Sequence, residues 1–146
     1  MSFSGVYNHS LDAMGRIFVP AKFREELGEC FKLFKSNDGC VFAYPESAWE
    51  KIIAQASLGS DTPEGRRRQR QLAVLSRDAS LDAKGRVMLP DDFLKHAGIN
   101  SAPGESISSG VTVVGAGTRI ELWSSEVWNR YMSETEDDLL SIGINF

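Results

Sequence analysis

Two aspartates, each followed four residues later by an arginine, stand in the same short motif seventy residues apart. The motif reads SLDAMGRIFVP at residues 10–20 and SLDAKGRVMLP at residues 80–90, with seven of its eleven positions identical. An arginine guanidinium binds phosphate in a bidentate manner and can reach base edges in a DNA groove. Two carboxylates brought together across a symmetry axis can instead share a proton, as in aspartic proteases. The motif therefore supports two kinds of chemistry.

The motif itself predicts how these side chains are positioned. Asp at the first place and Gly at the fourth are typical of a type I turn, in which glycine takes a positive φ. The Asp carboxylate can accept hydrogen bonds from the turn amides. We therefore assign structural turn roles to Asp12, Gly15, Asp82 and Gly85. The flanking residues alternate in polarity, which predicts a tight hairpin that projects Arg16, or Arg86, from a rigid base.

Each motif is followed by the same series of predicted elements. A proline suits the first turn of a short helix and a glycine its end, at residues 20 and 28 and again at residues 90 and 98. Two strands follow, and then a longer helix. We expect this helix at about 46–57 in the first copy and at about 125–140 in the second. The side chains that we expect to face inward on these longer helices are Trp49, Ile52, Ile53, Ala56, Trp128, Met132, Thr135 and Leu139.

The duplication predicts the architecture. Four-stranded units of this size have exposed edges and a small core, and pairing two of them about a pseudo-twofold axis covers both deficits. We expect an α+β, β-rich fold in which the two halves form one interlocked domain, flanked by helices, rather than two independent domains. The predicted repeats are residues 1–58 and 77–146, the second ending in an acidic helix, with a helical connector at 59–76. Extra residues in the second copy fall at about 100–110.

Composition restricts the function less than the charge distribution does. The net charge is −4, yet residues 1–100 hold 14 basic and 13 acidic side chains whereas residues 101–146 hold 2 and 7. A basic nucleic-acid face is therefore compatible with the acidic total. Neither a long apolar run nor a basic-then-apolar leader is present, and the two cysteines are predicted to be unpaired. These features favour a cytoplasmic protein without a membrane partner.

Other candidate sites are weaker. The two histidines, His9 and His96, occupy non-equivalent places and form no metal or triad pattern, and no phosphate-binding glycine loop is present. We predict no catalytic residue, metal, cofactor or small-molecule substrate. The basic run at residues 66–70 lies on a predicted helix and points in several directions, so we expect protein contacts for most of it. Lys22, Arg24 and Lys84 are candidate phosphate contacts, with simple surface solvation as the alternative.

The doubled Asp-x-x-Gly-Arg-x-x-(Leu/Val)-Pro motif resembles the signature of the MraZ family of the SpoVT/AbrB-like superfamily. The segments AKFREELG, GCVFAYPESAWEKI, RRRQRQL and VVGAGTRIELW extend the resemblance over nearly the whole chain. It implies that the two halves interlock as swapped hairpins in one barrel-like domain. It also implies a ring-shaped homo-oligomer that binds tandem direct repeats in double-stranded promoter DNA. It also implies a nucleoid-associated regulator, typically a repressor, of the cell-division and cell-wall gene cluster.

The resemblance also implies roles for particular residues. It places Arg16 and Arg86 on the DNA-binding face. Family members often carry a basic residue just before the motif glycine; Lys84 retains it and Met14 does not, so we expect the first half to contact phosphate less strongly. Two alternatives stay open. One is a structural or protein-interaction ring without specific DNA binding. The other is an aspartyl-type hydrolase, which is disfavoured because no small hydroxyl residue follows either Asp.

Overall fold

The structure, a computed structural model, describes residues 2–99 and 110–135. The elements of the first half are β1 (Phe3–Ser10), β2 (Arg16–Phe18), α1 (Ala21–Leu27), β3 (Cys30–Lys35), β4 (Val41–Pro45) and α2 (Glu46–Ala56). A connecting helix, α3 (Pro63–Leu75), leads into the second half. Its elements are β5 (Ser76–Ser80), β6 (Arg86–Met88), α4 (Asp91–Ala97), β7 (Gly110–Gly117), β8 (Ile120–Ser124) and α5 (Ser125–Thr135). The predicted α+β, β-rich class with flanking helices is confirmed.

The strands of the two halves are interleaved. A six-stranded sheet has the order β1-β7-β8-β4-β3-β5, and β2 pairs with β6 in a separate two-stranded sheet. The order is symmetric, because β1 pairs with β7 as β5 pairs with β3, and β4 pairs with β8 at the centre. Each half therefore completes its edges with strands of the other.

The prediction of a hairpin within each motif is wrong in its pairing. The turns form, with the Gly15 amide donating to the Asp12 carbonyl at 3.1 Å and the Gly85 amide to the Asp82 carbonyl at 3.0 Å. Beyond the turn, however, β2 pairs along its length with β6 rather than with β1. Three residues bury little when paired locally, whereas pairing β2 with β6 places both strands over one shared core.

That core is built from equivalent residues of the two halves. Ile17 on β2 and Val87 on β6 are each 1% exposed and lie opposite one another in the strand pairing. Phe23 on α1 and Phe93 on α4 are buried in the same cluster. The inner face of the two-stranded sheet thus packs into the same core as the short helices, which makes the sheet a rigid base for side chains on its outer face.

The helix predictions are confirmed in part. Thr62 caps α3 by accepting a hydrogen bond from the Gly65 amide, with Pro63 at the first helical position, and Trp49 is buried. The inward placement of Ile53 and Met132 is wrong, since they are 41% and 43% exposed. Leu139 and the segment 100–109 lie outside the described residues. Both cysteines are free, with Cys30 exposed and Cys40 buried. The repeat boundaries at 58 and 77 stay predictions.

Candidate nucleic-acid interface

The two motif arginines lie on one face of the two-stranded sheet formed by β2 and β6, which we call the ribbon. Arg16 stands opposite Met88 and Arg86 opposite Phe18, so all four side chains share the outer face. Ile17 and Val87, one position along, point to the core instead. The outer face therefore carries two cations on a diagonal, each beside an apolar side chain.

The turns orient both arginines through their aspartates. In the first turn, one oxygen of Asp12 accepts from the amides of Met14 and Arg16, both at 2.9 Å. The other oxygen accepts from Arg16 Nε at 2.8 Å. This arrangement leaves the terminal nitrogens as the part of the guanidinium that faces away from the turn.

The second turn repeats this geometry. One oxygen of Asp82 accepts from the Lys84 and Arg86 amides, both at 2.9 Å, and the other accepts from Arg86 Nε at 2.7 Å. The structural turn roles predicted for the two aspartates agree with these contacts. Each aspartate also holds an arginine, which the sequence reasoning did not anticipate.

The pKa values of both aspartates are shifted in the same direction. Desolvation raises the pKa of Asp12, but hydrogen bonds from Arg16 and Met14 outweigh it and hold that pKa below its ordinary value. The backbone amide of Arg86 is the main cause that lowers the pKa of Asp82, with its guanidinium adding to the effect. A carboxylate dyad that shares a proton requires one raised pKa. Each carboxylate is instead bound to the arginine of its own turn, which is not the arrangement of a proton-sharing pair.

The side chains of Arg16 and Arg86 are less exposed to solvent than arginines projecting freely from a turn would be. The side chain of Arg16 is 32% exposed and that of Arg86 is 17% exposed. Arg86 Nη1 also lies 3.9 Å from the Asp12 carboxylate of the other half, and its guanidinium lies 5.8 Å from the centre of the Phe18 ring. The expected outward projection is thus only partial, because each guanidinium is held against a carboxylate beside the turn.

The remaining candidate cations are spread over the neighbouring elements. Lys84 is exposed at the second turn, where the first turn has Met14, which is 65% exposed. Arg24 on α1 donates from Nε to the Val19 carbonyl at 2.7 Å, and its guanidinium lies against Gly85 of the second turn. Lys22 is exposed and its Nζ lies 3.3 Å from the Ser4 carbonyl, at the start of β1. The structure thus places the Arg24 guanidinium against the second turn, in which Lys84 and Arg86 flank Gly85 in sequence.

Phe18 and Met88 were missed by the sequence reasoning. They are 43% and 61% exposed on the outer face of the ribbon, beside the arginines. The signal was present in the sequence, because alternate residues of a strand share a face and each stands two positions after an arginine. Exposed apolar side chains beside arginines suit contact with thymine methyl groups or the apolar parts of a DNA groove.

The basic run on α3 makes contacts within the protein at two of its members. Arg66 donates to the Asp61 carbonyl at 3.0 Å, and Arg68 donates to the Leu58 carbonyl at 3.1 Å. Both acceptors lie in the loop that precedes the helix. These contacts agree with the predicted structural role for Arg66 and Arg68, whereas Arg67 and Arg70 are exposed.

Two other kinds of site are absent from residues 2–99 and 110–135. Over those ranges no helix combines the length and the apolar character that crossing a bilayer requires. In the same part of the chain, no group of three or more His, Cys, Asp or Glu side chains is placed to hold a metal ion.

Comparison with known proteins agrees with the motif. A family model described as "MraZ protein, putative antitoxin-like" matches residues 2–71 and 77–141. A protein of Lachnoclostridium phytofermentans named transcriptional regulator MraZ is 36% identical over 148 residues, covering 99% of each chain. A protein of the same name from Clostridium acetobutylicum is 40% identical, covering 92% of this chain and 90% of the relative. Another, from Syntrophomonas wolfei, is 37% identical and covers 97% of this chain and 99% of the relative. The chain belongs to the MraZ family.

Proposed function

We propose that this chain is a sequence-specific DNA-binding transcriptional regulator that binds tandem direct repeats in a promoter and represses transcription. The observation that carries the proposal is the outer face of the ribbon, where Arg16 and Arg86 lie beside exposed Met88 and Phe18 over a rigid core. The names of the relatives, transcriptional regulator MraZ, support the same function.

The shape of the site suits duplex DNA. The major groove of B-DNA admits a two-stranded β-ribbon, and an arginine that binds a guanine edge contributes about 1–3 kcal/mol of discrimination. Asp12 and Asp82 hold both guanidinium groups in place before binding, so less side-chain entropy is lost when DNA arrives. The terminal nitrogens would then donate to base edges or phosphates.

One such contact discriminates too little for a regulator, so we propose that the chain acts as a ring-shaped homo-oligomer. Several weak sites held together raise the apparent affinity through effective concentration. Exposed apolar side chains at one end of α2 and along α3 support self-association: Ile53 is 41%, Leu58 71% and Val74 74% exposed. Light scattering should give a particle several times the 16.1 kDa chain mass. Val74→Glu should reduce that mass, and a monomer in the unmodified chain would refute the ring.

The proposed cellular role follows from the family resemblance. We place the protein in the cytoplasm, associated with the nucleoid, as a regulator of the cell-division and cell-wall gene cluster. No catalytic step is part of this role, and no cofactor is needed for it. Chromosomal sites recovered by crosslinking the protein to DNA in cells should lie in the promoter of that cluster, and sites scattered without a common sequence would contradict the assignment.

The central experiment is selection of bound duplexes from a random pool, followed by affinity measurement on the recovered sequence. We expect tandem repeats to be recovered, and we expect the double variant Arg16→Ala, Arg86→Ala to lose specific binding by at least tenfold. Arg130→Ala is the matched control, because Arg130 is an exposed cation on α5 away from the ribbon. Unchanged affinity in the double variant would overturn the proposal.

The salt dependence of DNA affinity distinguishes this function from the alternative, a ring that binds an acidic protein instead of DNA. A DNA binder loses affinity steeply as salt concentration rises, because phosphate contacts release condensed counterions, and it retains a preference for its own sequence. A ring without specific DNA binding would show the same weak affinity for the recovered sequence and for a shuffled one. Equal affinities at every salt concentration would favour that alternative.

A further inference from the structure

We propose that the two turns of each protomer contribute unequally to phosphate binding. The second turn forms the main phosphate-binding site, and Arg24 of the first half completes it. This inference rests on the proposed DNA-binding function and assigns a division of labour within it. We call the second site, made of Arg24, Lys84 and Arg86, the basic tip. The corresponding residues of the first turn are Leu94, Met14 and Arg16, and we call them the neutral tip.

The basic tip depends on a close approach that only glycine permits. A Cβ placed on Gly85 would lie 2.4 Å from both Cζ and Nε of Arg24, so the guanidinium occupies the space that any other residue would need. Gly85 also has a φ of +81°, which side chains rarely adopt. Arg24 is held there by its bond from Nε to the Val19 carbonyl, and the Val19 amide in turn donates to the Gly85 carbonyl at 3.0 Å.

The neutral tip has the same backbone and different chemistry. The Leu89 amide donates to the Gly15 carbonyl at 2.9 Å, as Val19 does to Gly85. The side-chain atom nearest the Cβ position of Gly15, however, is Cδ1 of Leu94, at 3.8 Å. Leu94 is 2% exposed and Met14 replaces the lysine, so the cationic contribution of this tip comes from Arg16.

The local charge differs accordingly. The basic tip carries three cations and one carboxylate, Asp82, which binds Arg86, whereas the neutral tip carries Arg16 bound to Asp12. Arg24 donates to a backbone carbonyl rather than to a carboxylate, and Lys84 is exposed, so both add positive charge to the second turn. Because each phosphate contact contributes about 0.9 to the slope of log affinity against log salt, most of that slope should come from the basic tip.

The test exchanges residues between the tips in the full-length protein, with fluorescence anisotropy on the selected duplex at a series of salt concentrations. Lys84→Met gives the second turn the residue of the first, and Met14→Lys does the reverse at an exposed position. We expect Lys84→Met to lower the slope by about 0.9 and the affinity about fivefold at 0.15 M salt for each tip engaged. Met14→Lys should raise both quantities by similar amounts.

Arg24→Leu copies the neutral tip and tests the arginine of the first half. We expect a loss of slope comparable to that of Lys84→Met, with Arg24→Lys retaining part of it. An arginine that only packs against the turn would lower the unfolding midpoint and leave the slope unchanged. If Arg24→Leu weakens folding, Lys84→Met and Met14→Lys decide the matter, because both positions are exposed.

The outcomes separate this inference from the function on which it rests. Unchanged slopes in Lys84→Met and Met14→Lys, together with lost binding in Arg16→Ala, Arg86→Ala, would overturn the division of labour and leave DNA binding intact. Equal slope losses from Arg16→Ala and from Lys84→Met combined with Arg24→Leu would also overturn it. Failure of every variant to alter binding would instead reject the proposed function.

Discussion

Arg86 lies directly across the ribbon from Phe18, with its guanidinium 5.8 Å from the centre of the phenylalanine ring. The two residues belong to different halves of the chain, so the pairing of β2 with β6 creates this neighbourhood. A cation near an aromatic face is stabilised by about 0.5–1 kcal/mol at exposed sites. The contact therefore helps to orient Arg86 while leaving the outer face of the ribbon accessible.

Ile17 and Phe18 are neighbours on β2 but face opposite sides of the ribbon, so their substitution should affect different properties. Ile17→Ala should lower the free energy of unfolding by about 2–5 kcal/mol, because Ile17 is 1% exposed and its loss leaves a cavity in the shared core. Phe18→Ala, one position along and 43% exposed, should cost less than about 1 kcal/mol but weaken DNA binding. Urea unfolding with affinity measurements checks both, and a larger stability loss in Phe18→Ala would show that the strand faces the other way.

Acid should destabilise the fold through the two turn aspartates and through Asp92 on α4, whose carboxylate lies 2.9 Å from Lys35 Nζ. The pKa values of Asp12, Asp82 and Asp92 are all lowered from 3.8, so the unfolded chain binds more protons than the folded one in this range. Their stabilisation is fully present above the unfolded value and is lost as the pH falls through the folded values. We therefore expect the urea midpoint of unfolding to be insensitive to these three groups between pH 7 and 5. Below about pH 4 the midpoint should fall as their contribution to stability is lost.

A variant isolates that contribution. Asp12→Asn with Asp82→Asn should lower the midpoint at pH 7 and flatten its decline in acid, since neither turn then holds a charged carboxylate. Asp61→Asn is the control, because Asp61 lies in the exposed loop before α3. A decline in the double variant as steep as in the unmodified protein would mean that other groups cause the acid sensitivity.

Gly85 should tolerate alanine less well than a glycine in open space. Gly85→Ala should cost about 1–2 kcal/mol for its positive φ, and more because the new Cβ displaces the Arg24 guanidinium. Gly39→Ala is a matched control, since Gly39 has a φ of +83° and no atom within 4 Å of the Cβ position. In an Arg24→Ala background the two costs should become equal, and a persistent difference would point to a contact other than Arg24.

A buried ion pair near the junction of the halves predicts a strong effect away from the ribbon. Glu121 on β8 is 7% exposed, accepts from Arg119 at 2.7 and 2.9 Å, and accepts from Trp123 Nε1 at 3.0 Å. Its strand pairs with β4 of the other half. Arg119→Ala should cost about 3 kcal/mol, because it leaves a buried carboxylate without its cation.

The double variant Arg119→Met, Glu121→Leu tests the reason for that cost. Replacing both charges with apolar side chains removes the unpaired carboxylate, so we expect thermal or urea unfolding to show recovery of most of the lost stability. A double variant as unstable as Arg119→Ala would contradict the unpaired carboxylate as the cause of the loss.

Local features of the sequence predicted much of this molecule. The repeated Asp-x-x-Gly motif specified both turns, because the aspartate and glycine satisfy the turn through bonds within five residues. Thr62 and Pro63 marked the start of α3, and the match between residues 10–20 and 80–90 revealed two related halves. Such features depend on neighbours along the chain, so they are visible without the fold.

The contacts between halves were decided only by the tertiary structure. Nothing local distinguishes β2 paired with β1 from β2 paired with β6, since a strand of three residues offers the same amides to either partner. The placement of Arg24 on Gly85, and of Arg86 near Asp12 of the other half, follows from that pairing. These contacts join residues about sixty to seventy positions apart, and burial of one shared core selects them, because it makes the interleaved arrangement more stable than two separate hairpins.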